Sequence, residues 1–252
     1  MRQVVTTYDE LGNYCRAFAD GHFELFILIG NPGLSKSTIL RRVMENREAK
    51  WFEGTVSAFR LYCEAYWNRN KPLVIDDVDN LYGDRAAVRT LKCLCQTDRV
   101  KHVGWHTAAK QLDDQDVPRE FYTESKVCII ANVWKDLNTN VSAVDDRGIL
   151  VDFQPDAHEV HRVVGEWKDL DREAYRYIEK HLDLIHVPSM RYYVTCAQMK
   201  KAGLDWKRAF LNSIALKPEQ QTVVKLLAND ALASENARVA EFIKETGLSR
   251  AT

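Results

Sequence analysis

The feature that most restricts this chain is an eight-residue turn, Gly30-Asn31-Pro32-Gly33-Leu34-Ser35-Lys36-Ser37. It lies between a near-continuous apolar run, Phe23 to Gly30, and a stretch of helical spacing from Ser35 to about Glu45. An apolar run of that kind reads as a strand buried on both faces, the type found in parallel sheets covered by helices. The turn follows the pattern G-x-x-x-x-G-K-[ST], with Ser35 where the pattern has glycine. Consecutive backbone N–H groups followed by a helix N-terminus make a place where an anion is favoured. Lys36 would reach the β- and γ-phosphates of a nucleoside triphosphate, and Ser37 would offer its hydroxyl to Mg2+. All eight residues are therefore candidates for phosphate binding. Serine at 35 predicts backbone strain without loss of the loop.

A second apolar strand, Pro72-Leu73-Val74-Ile75-Asp76-Asp77, ends in two carboxylates. Next to a phosphate loop, Asp76 would hold Mg2+ through its waters and Asp77 would polarise the attacking water. The usual second residue is glutamate. Aspartate is one methylene shorter, so slow turnover or a displaced water is expected. Lys126 to Asn132 and Ile149 to Phe153 read as two further buried strands, with shorter ones over Gly54–Ser57 and His102–His106. Helices are expected from Thr7, where Thr7-Tyr8-Asp9-Glu10 forms a capping box, to about Asp20. Others are expected after Ser57 and over Arg85–Gln96. Strands alternating with helices predict an α/β fold, a mostly parallel sheet with helices on both faces. From Pro155 onward only helical spacing is found, through Val160, Val163, Val164 and Trp167, then Tyr175, Ile178 and Leu182, then Met190 to Ala197, and last Asp205 to Leu216. The expected organisation is an N-terminal helix (1–22), an α/β nucleotide-binding core (23–154), an all-helical lid (155–216) and a helical tail (217–252).

Composition narrows the function classes. Among 252 residues, 35 Lys and Arg balance 36 Asp and Glu, which excludes a polycation that binds by bulk charge. The unbroken apolar stretches fall far short of the roughly 18 residues a membrane span needs. The opening Met1-Arg2-Gln3 leads into a polar segment, so a cytoplasmic protein is expected. The six cysteines sit mostly in apolar runs and read as small buried hydrophobes of a reducing compartment. Cys93, Cys95, His102 and His106 come nearest to a metal pattern but lack the spacing of a zinc site. His158 and His161 share a helix face and read as solvated.

Taken together, the phosphate loop, the strand ending in Asp76-Asp77 and the segments below resemble the AAA+ ATPase family over about residues 23 to 215. Val127-Cys128-Ile129-Ile130-Ala131-Asn132 is similar to the strand that ends in the sensor-1 polar residue. The resemblance places Asn132 between the two motifs, orienting water. Asp146-Arg147-Gly148 resembles the arginine-finger position, from which Arg147 would reach the γ-phosphate bound by a neighbouring subunit. Arg119, in Pro118-Arg119-Glu120-Phe121, is its rival. Pro188-Ser189-Met190-Arg191 is similar to the opening of the sensor-2 helix, which would bring Arg191 to the nucleotide. The resemblance implies ATP and Mg2+ as ligands, hydrolysis by transfer of a phosphoryl group to water, and a homo-oligomer, ring or filament, that completes the site. A plainer reading of both arginines is a solvated or salt-bridged side chain.

The partner is harder to read. Thr97 to Ser125 carries Lys101, His102, Trp105, His106, Lys110 and Arg119, which suit either a DNA-gripping hairpin or an extra strand with Trp105 in the core. Arg238 to Glu245, followed by Thr246-Gly247-Leu248 and Ser249, matches the start of a helix-turn-helix or a glycine-capped helix. The family placement is a helicase-loader or transposition-regulator type, acting with DNA or a replication or recombination protein. The competing readings are a P-loop kinase for a small molecule and a nucleotide-gated scaffold with negligible hydrolysis.

Overall fold

The computed structural model describes residues 1–106, 110–132, 147–214, 222–223, 226–227 and 234–246. The chain divides into two compact units, Met1–Pro155 and Asp156–Thr252. The strands of the first are β1 (Arg2–Val5), β2 (Leu25–Gly30), β3 (Lys50–Glu53), β4 (Leu73–Asp76), β5 (Lys101–Gly104), β6 (Glu120–Thr123), β7 (Val127–Ala131) and β8 (Ile149–Phe153). Its helices are α1 (Tyr8–Ala19), α2 (Lys36–Val43), α3 (Ala58–Trp67), α4 (Asn80–Gly83) and α5 (Arg85–Leu94).

Six strands form one sheet in the order β1-β8-β2-β7-β4-β3, every pairing parallel. Each residue of β2, β4 and β7 is buried. Successive strand side chains face opposite ways, so both faces of the sheet are covered. This is the expected α/β architecture, a parallel sheet with helices on both faces. The helix starts also follow from sequence chemistry. Thr7 accepts from the Glu10 N–H at 3.3 Å, Ser57 from Arg60 at 3.1 Å, and Asp84 from Ala86 and Ala87.

Four strands depart from expectation, β6 among them because no strand was anticipated over Glu120–Thr123. β1 was not anticipated: its burial is mixed, and what fixes it is parallel pairing to the edge of β8, with Arg2 ion-paired to Asp152. It joins residues 1–22 to the same unit as the sheet. β3 precedes the expected Gly54–Ser57 strand because Gly54, at φ +71°, ends it. β5 spans Lys101–Gly104 and pairs antiparallel with β6 in a separate two-stranded sheet.

The second unit is all-helical: α6 (Ala157–Val164), α7 (Arg172–Glu179), α8 (Arg191–Lys201), α9 (Trp206–Ile214) and α10 (Glu235–Thr246). Asp156 and Asp171 cap α6 and α7. Val160, Val164, Ile178, Tyr193, Phe210 and Leu211 are buried. His161 is buried as well, contrary to the solvated reading. Its Nδ1 lies 2.9 Å from the Tyr193 hydroxyl and its ring stacks on Tyr175 at 3.8 Å. Burial lowers its pKa, against the pull of Glu179. The proposed turn after α10 lies outside the described residues, and no described helix is long and apolar enough to cross a membrane.

Candidate nucleotide-binding site

The turn from Gly30 to Ser37 leaves the carboxyl end of β2. A Cβ on Gly30 would lie 2.6 Å from the Phe153 carbonyl oxygen, so glycine alone lets β2 end this close to β8. Gly33 takes φ +81°, where a side chain is strained. Leu34 is buried and pins the middle of the turn, while Asn31 and Pro32 are exposed. Ser35 sits at φ 58°, ψ 26°, the left-handed region, immediately before α2. The expected strain is therefore located at its backbone. The first N–H groups of α2, on Lys36, Ser37 and Thr38, have no acceptor within the helix and stand at its positive end.

A chain of polar contacts ties this turn to the ends of two other strands. The Lys36 ammonium is buried and donates to Gly30 O (2.7 Å), Asn31 O (3.0 Å) and Asn132 Oδ1 (3.0 Å). Asn132 follows β7, which lies between β2 and β4. Its Nδ2 donates to both carboxylate oxygens of Asp77, at 3.1 and 3.0 Å. The Ser37 hydroxyl donates to Asp76 Oδ1 at 2.7 Å. Lys36, Ser37, Asp76, Asp77 and Asn132 are thus brought into one cluster. Asp77 also adopts a left-handed backbone, φ 50°, with its N–H held by Ile130 O.

Burial pushes the Asp76 carboxyl above its ordinary value, Asp77 and Glu53 add to the rise, and the Ser37 hydrogen bond and Arg41 oppose it. A buried carboxylate beside a hydroxyl, at the foot of a phosphate cradle, is the hard-oxygen donor set that Mg2+ takes. Sequence reasoning missed Glu53 and Arg41. Glu53 is the register partner of Asp76 across β3 and β4, and Arg41 binds it at 2.6 Å while lying over the Trp51 ring at 3.8 Å. The one signal was position: Glu53 ends a strand and Arg41 lies one helical turn beyond Ser37.

Arg147 and Arg119, in the same unit as the cluster, bind other partners. Arg147 donates through Nη1 to the Lys92 carbonyl near the C-terminus of α5, at 2.8 Å. It precedes β8, whose Ile149 is level with Phe26 and whose Phe153 is level with Gly30. Arg147 is therefore level with Glu24, six residues or about 20 Å along the strands from its own loop. Asp146 lies outside the described residues. Arg119 pairs with Asp113 at 3.0 Å. Arg191 is exposed at the first residue of α8 in the second unit.

In the stretch Thr97–Ser125, Lys110 is exposed, while Arg99 pairs with Glu124 and Arg119 with Asp113. Lys101 is wholly buried, donating to Glu24 at 2.8 Å and to Ser125 O at 2.6 Å. His102 faces Glu120, and Trp105 packs on Phe59 and Tyr62. Of the two readings, packing of Trp105 against the core is the one observed. Among the described residues no group of three or more His, Cys, Asp or Glu converges as a metal site, and all six cysteines are free.

No family model matches the chain. It is 27% identical over 135 residues to an uncharacterized 36.7 kDa protein of the nrdC-mobD intergenic region of Enterobacteria phage T4. That match covers 50% of this chain and 41% of the phage protein, so the chain spans well under half of that relative. Among solved structures, a DNA replication initiation factor aligns over 93% of this chain and 81% of its own, at 11% identity and TM-score 0.45. The E. coli MS115-1 HORMA:CdnC:Trip13 complex aligns over 71% and 74%, at 14% identity and TM-score 0.33. PCH-2 of C. elegans aligns over 84% and 63%, at 14% identity and TM-score 0.28.

Proposed function

We propose that this chain is an ATPase of the AAA+ kind that binds ATP with Mg2+ and transfers the γ-phosphoryl group to water. The observation that carries the reading is the meeting of Lys36 and Ser37 from the turn, Asp76 and Asp77 from the end of β4, and Asn132 from the end of β7. The loop backbone and the α2 N-terminus hold the phosphates, and Lys36 adds a point charge. Ser37 and Asp76 would hold Mg2+, which when bound offsets charge on the β- and γ-phosphates. Asp77 takes the proton of the attacking water, and Asn132 holds Asp77 and that water in place. Such a reaction depends on positioning and charge compensation more than on covalent chemistry.

The place of Arg147 supports a contribution in trans. About 20 Å from its own loop along the strands, it serves only a site on another copy. The active species is then a ring or filament of identical subunits. The test is a titration of ATP into wild type and Lys36→Ala, followed by phosphate release across protein concentration. Wild type binds and turns over superlinearly with concentration, and Lys36→Ala does neither. Absence of ATP binding by the wild-type protein overturns the reading. Tight binding without phosphate release, even with DNA present, leaves the nucleotide-gated scaffold, which the Asn132 hold on Asp77 favours. Transfer to an acceptor other than water leaves the kinase.

DNA is the proposed partner, contacted through α5 in place of the Thr97–Ser125 stretch. Helix α5 carries no carboxylate, and Arg85, Arg89 and Lys92 recur on one stripe. None of the three makes an ion pair with a described residue. They span about 10 Å of helix axis, enough for about three phosphates of one strand. Changing all three to Gln should lower the slope of log affinity against log salt by about 2 to 3. An unchanged slope removes α5 from the interface.

A further inference from the structure

We propose that the cavity beside α10 is a docking groove for an amphipathic helix of a partner protein, one that carries a carboxylate on its apolar stripe. The cavity measures about 470 Å3 and is lined by Leu226 and Leu227 and, from α10, by Glu235, Arg238, Val239 and Phe242. That volume lies in the range of ligand sites, roughly 300–1,000 Å3. The four α10 positions are spaced i, i+3, i+4 and i+7, which puts them on one stripe of the helix. The stripe runs about 10 Å, or two turns. Helices α6 to α9 each bury apolar residues, Val160, Ile178, Tyr193 and Phe210 among them, whereas α10 buries none. Val239, Phe242 and Ile243 are only half-buried. The apolar stripe of α10 is thus left partly open to water, and covering it is favourable.

The same stripe holds an unanswered charge. The Nε–H of Arg238 is buried and has no hydrogen-bond acceptor among the described residues. Glu235 stands one turn before it, at a spacing that allows an ion pair, yet among the described residues the pair on α10 joins Glu241 and Lys244 instead. A buried donor without an acceptor is unfavourable, and a carboxylate from outside removes that penalty. A guanidinium can hold such a carboxylate through two parallel bonds. The apolar lining asks for apolar side chains, and the guanidinium asks for an acid set among them. The four α10 positions are spread along two turns, which suits a helix whose anchors recur at the same spacing more than a compact ligand. The partner is therefore recognised by an acid within its apolar stripe, where Arg238 meets it, and not by charge at the rim.

The test uses the whole protein without nucleotide and three dye-labelled synthetic helices. They share a leucine stripe and differ at one position on it, which is Glu, Gln or Lys. In fluorescence anisotropy titrations, wild type should bind the Glu peptide about tenfold more tightly than the Gln peptide. Arg238→Glu should reverse the order and prefer the Lys peptide, a swap that a damaged fold cannot produce. Phe242→Ala should weaken binding of all three. Peptide binding decides the matter whether or not the protein binds ATP. Equal affinity of wild type for the Glu and Gln peptides, or no binding of either, overturns the proposal. Binding of decanoate with no binding of the Glu peptide marks a small-ligand pocket and overturns it as well. So does nucleotide-free self-association of wild type that Arg238→Glu abolishes, which gives the groove to a second copy of this chain.

Discussion

Replacing Ser35 by glycine should stabilise the first unit, although glycine is the more flexible residue. Ser35 holds φ 58°, ψ 26° at the entrance to α2, and its side chain does not cap that helix. A residue with a Cβ in the left-handed region costs about 1–2 kcal/mol, which glycine avoids. Against this, glycine adds freedom to the unfolded chain, about 0.4–1 kcal/mol. The net gain is about 0.5–1 kcal/mol. For a unit the size of Met1–Pro155 this raises the unfolding midpoint by about 1–4 °C. Calorimetry on the whole protein without nucleotide measures it. Ser35→Ala is the control, since it keeps the Cβ in the same strained backbone and should gain nothing. If Ser35→Gly unfolds at or below the wild-type temperature, or if Ser35→Ala gains as much, the strain argument is wrong.

Asp76→Asn should be more stable than wild type at neutral pH without Mg2+, because burial raises the folded-state pKa of Asp76 and the ionised form costs stability there. Wild type loses that stability as pH rises from the ordinary value of 3.8 through the raised one. The two midpoints should therefore converge in acid, and a gap independent of pH contradicts the assignment. Lys101→Ala, which leaves a cavity and removes the buried partner of Glu24, should cost about 3 kcal/mol in urea unfolding. Lys101→Met should recover much of it, and a loss below about 0.5 kcal/mol for the alanine variant would show that the pair is dispensable. His161→Phe should flatten the acid side of the second unit's stability profile. The buried imidazole resists the proton, which Glu179 favours and His158 opposes, so the unfolded chain binds it first and wild type weakens as pH falls below 6.5. An unchanged profile in the phenylalanine variant assigns that acid sensitivity elsewhere.

What was legible in the sequence was what is local. The phosphate turn and the Asp76-Asp77 strand end are contiguous, and a continuous apolar run marks β2, β4 and β7 because parallel strands are buried on both sides. What was hidden depends on pairing across distance. β1 has no apolar run of its own and exists because β8 has a free edge. Lys101 reads as a candidate DNA contact until Glu24, 77 residues earlier, is brought beside it. His161 reads as solvated until Tyr175 and Tyr193 fold over it. Glu53 enters the site only through the register of β3 against β4, which no spacing in the sequence reveals.

Register also explains why the proposed ATPase would call for help from outside the chain. Asp76, Asp77 and Glu53 bring three carboxylates to the mouth of the cradle, against the cations Lys36 and Arg41, and Arg41 is already bound to Glu53. A triphosphate entering there meets local charge that is negative on balance, and the loop N–H groups offer only partial positive charge. Lys36 by itself cannot compensate both the carboxylates and the incoming anion. On the proposed ATPase reading, a divalent cation on Ser37 and Asp76 would offset the ground state, and a guanidinium from a neighbouring copy would offset the charge that grows on the γ-phosphate during transfer. The parallel topology sends Arg147 to the opposite end of the sheet from its own loop, so on that reading the second correction would come only with assembly. An acid-rich mouth and a distant arginine would then be two halves of one arrangement that keeps a lone subunit quiet.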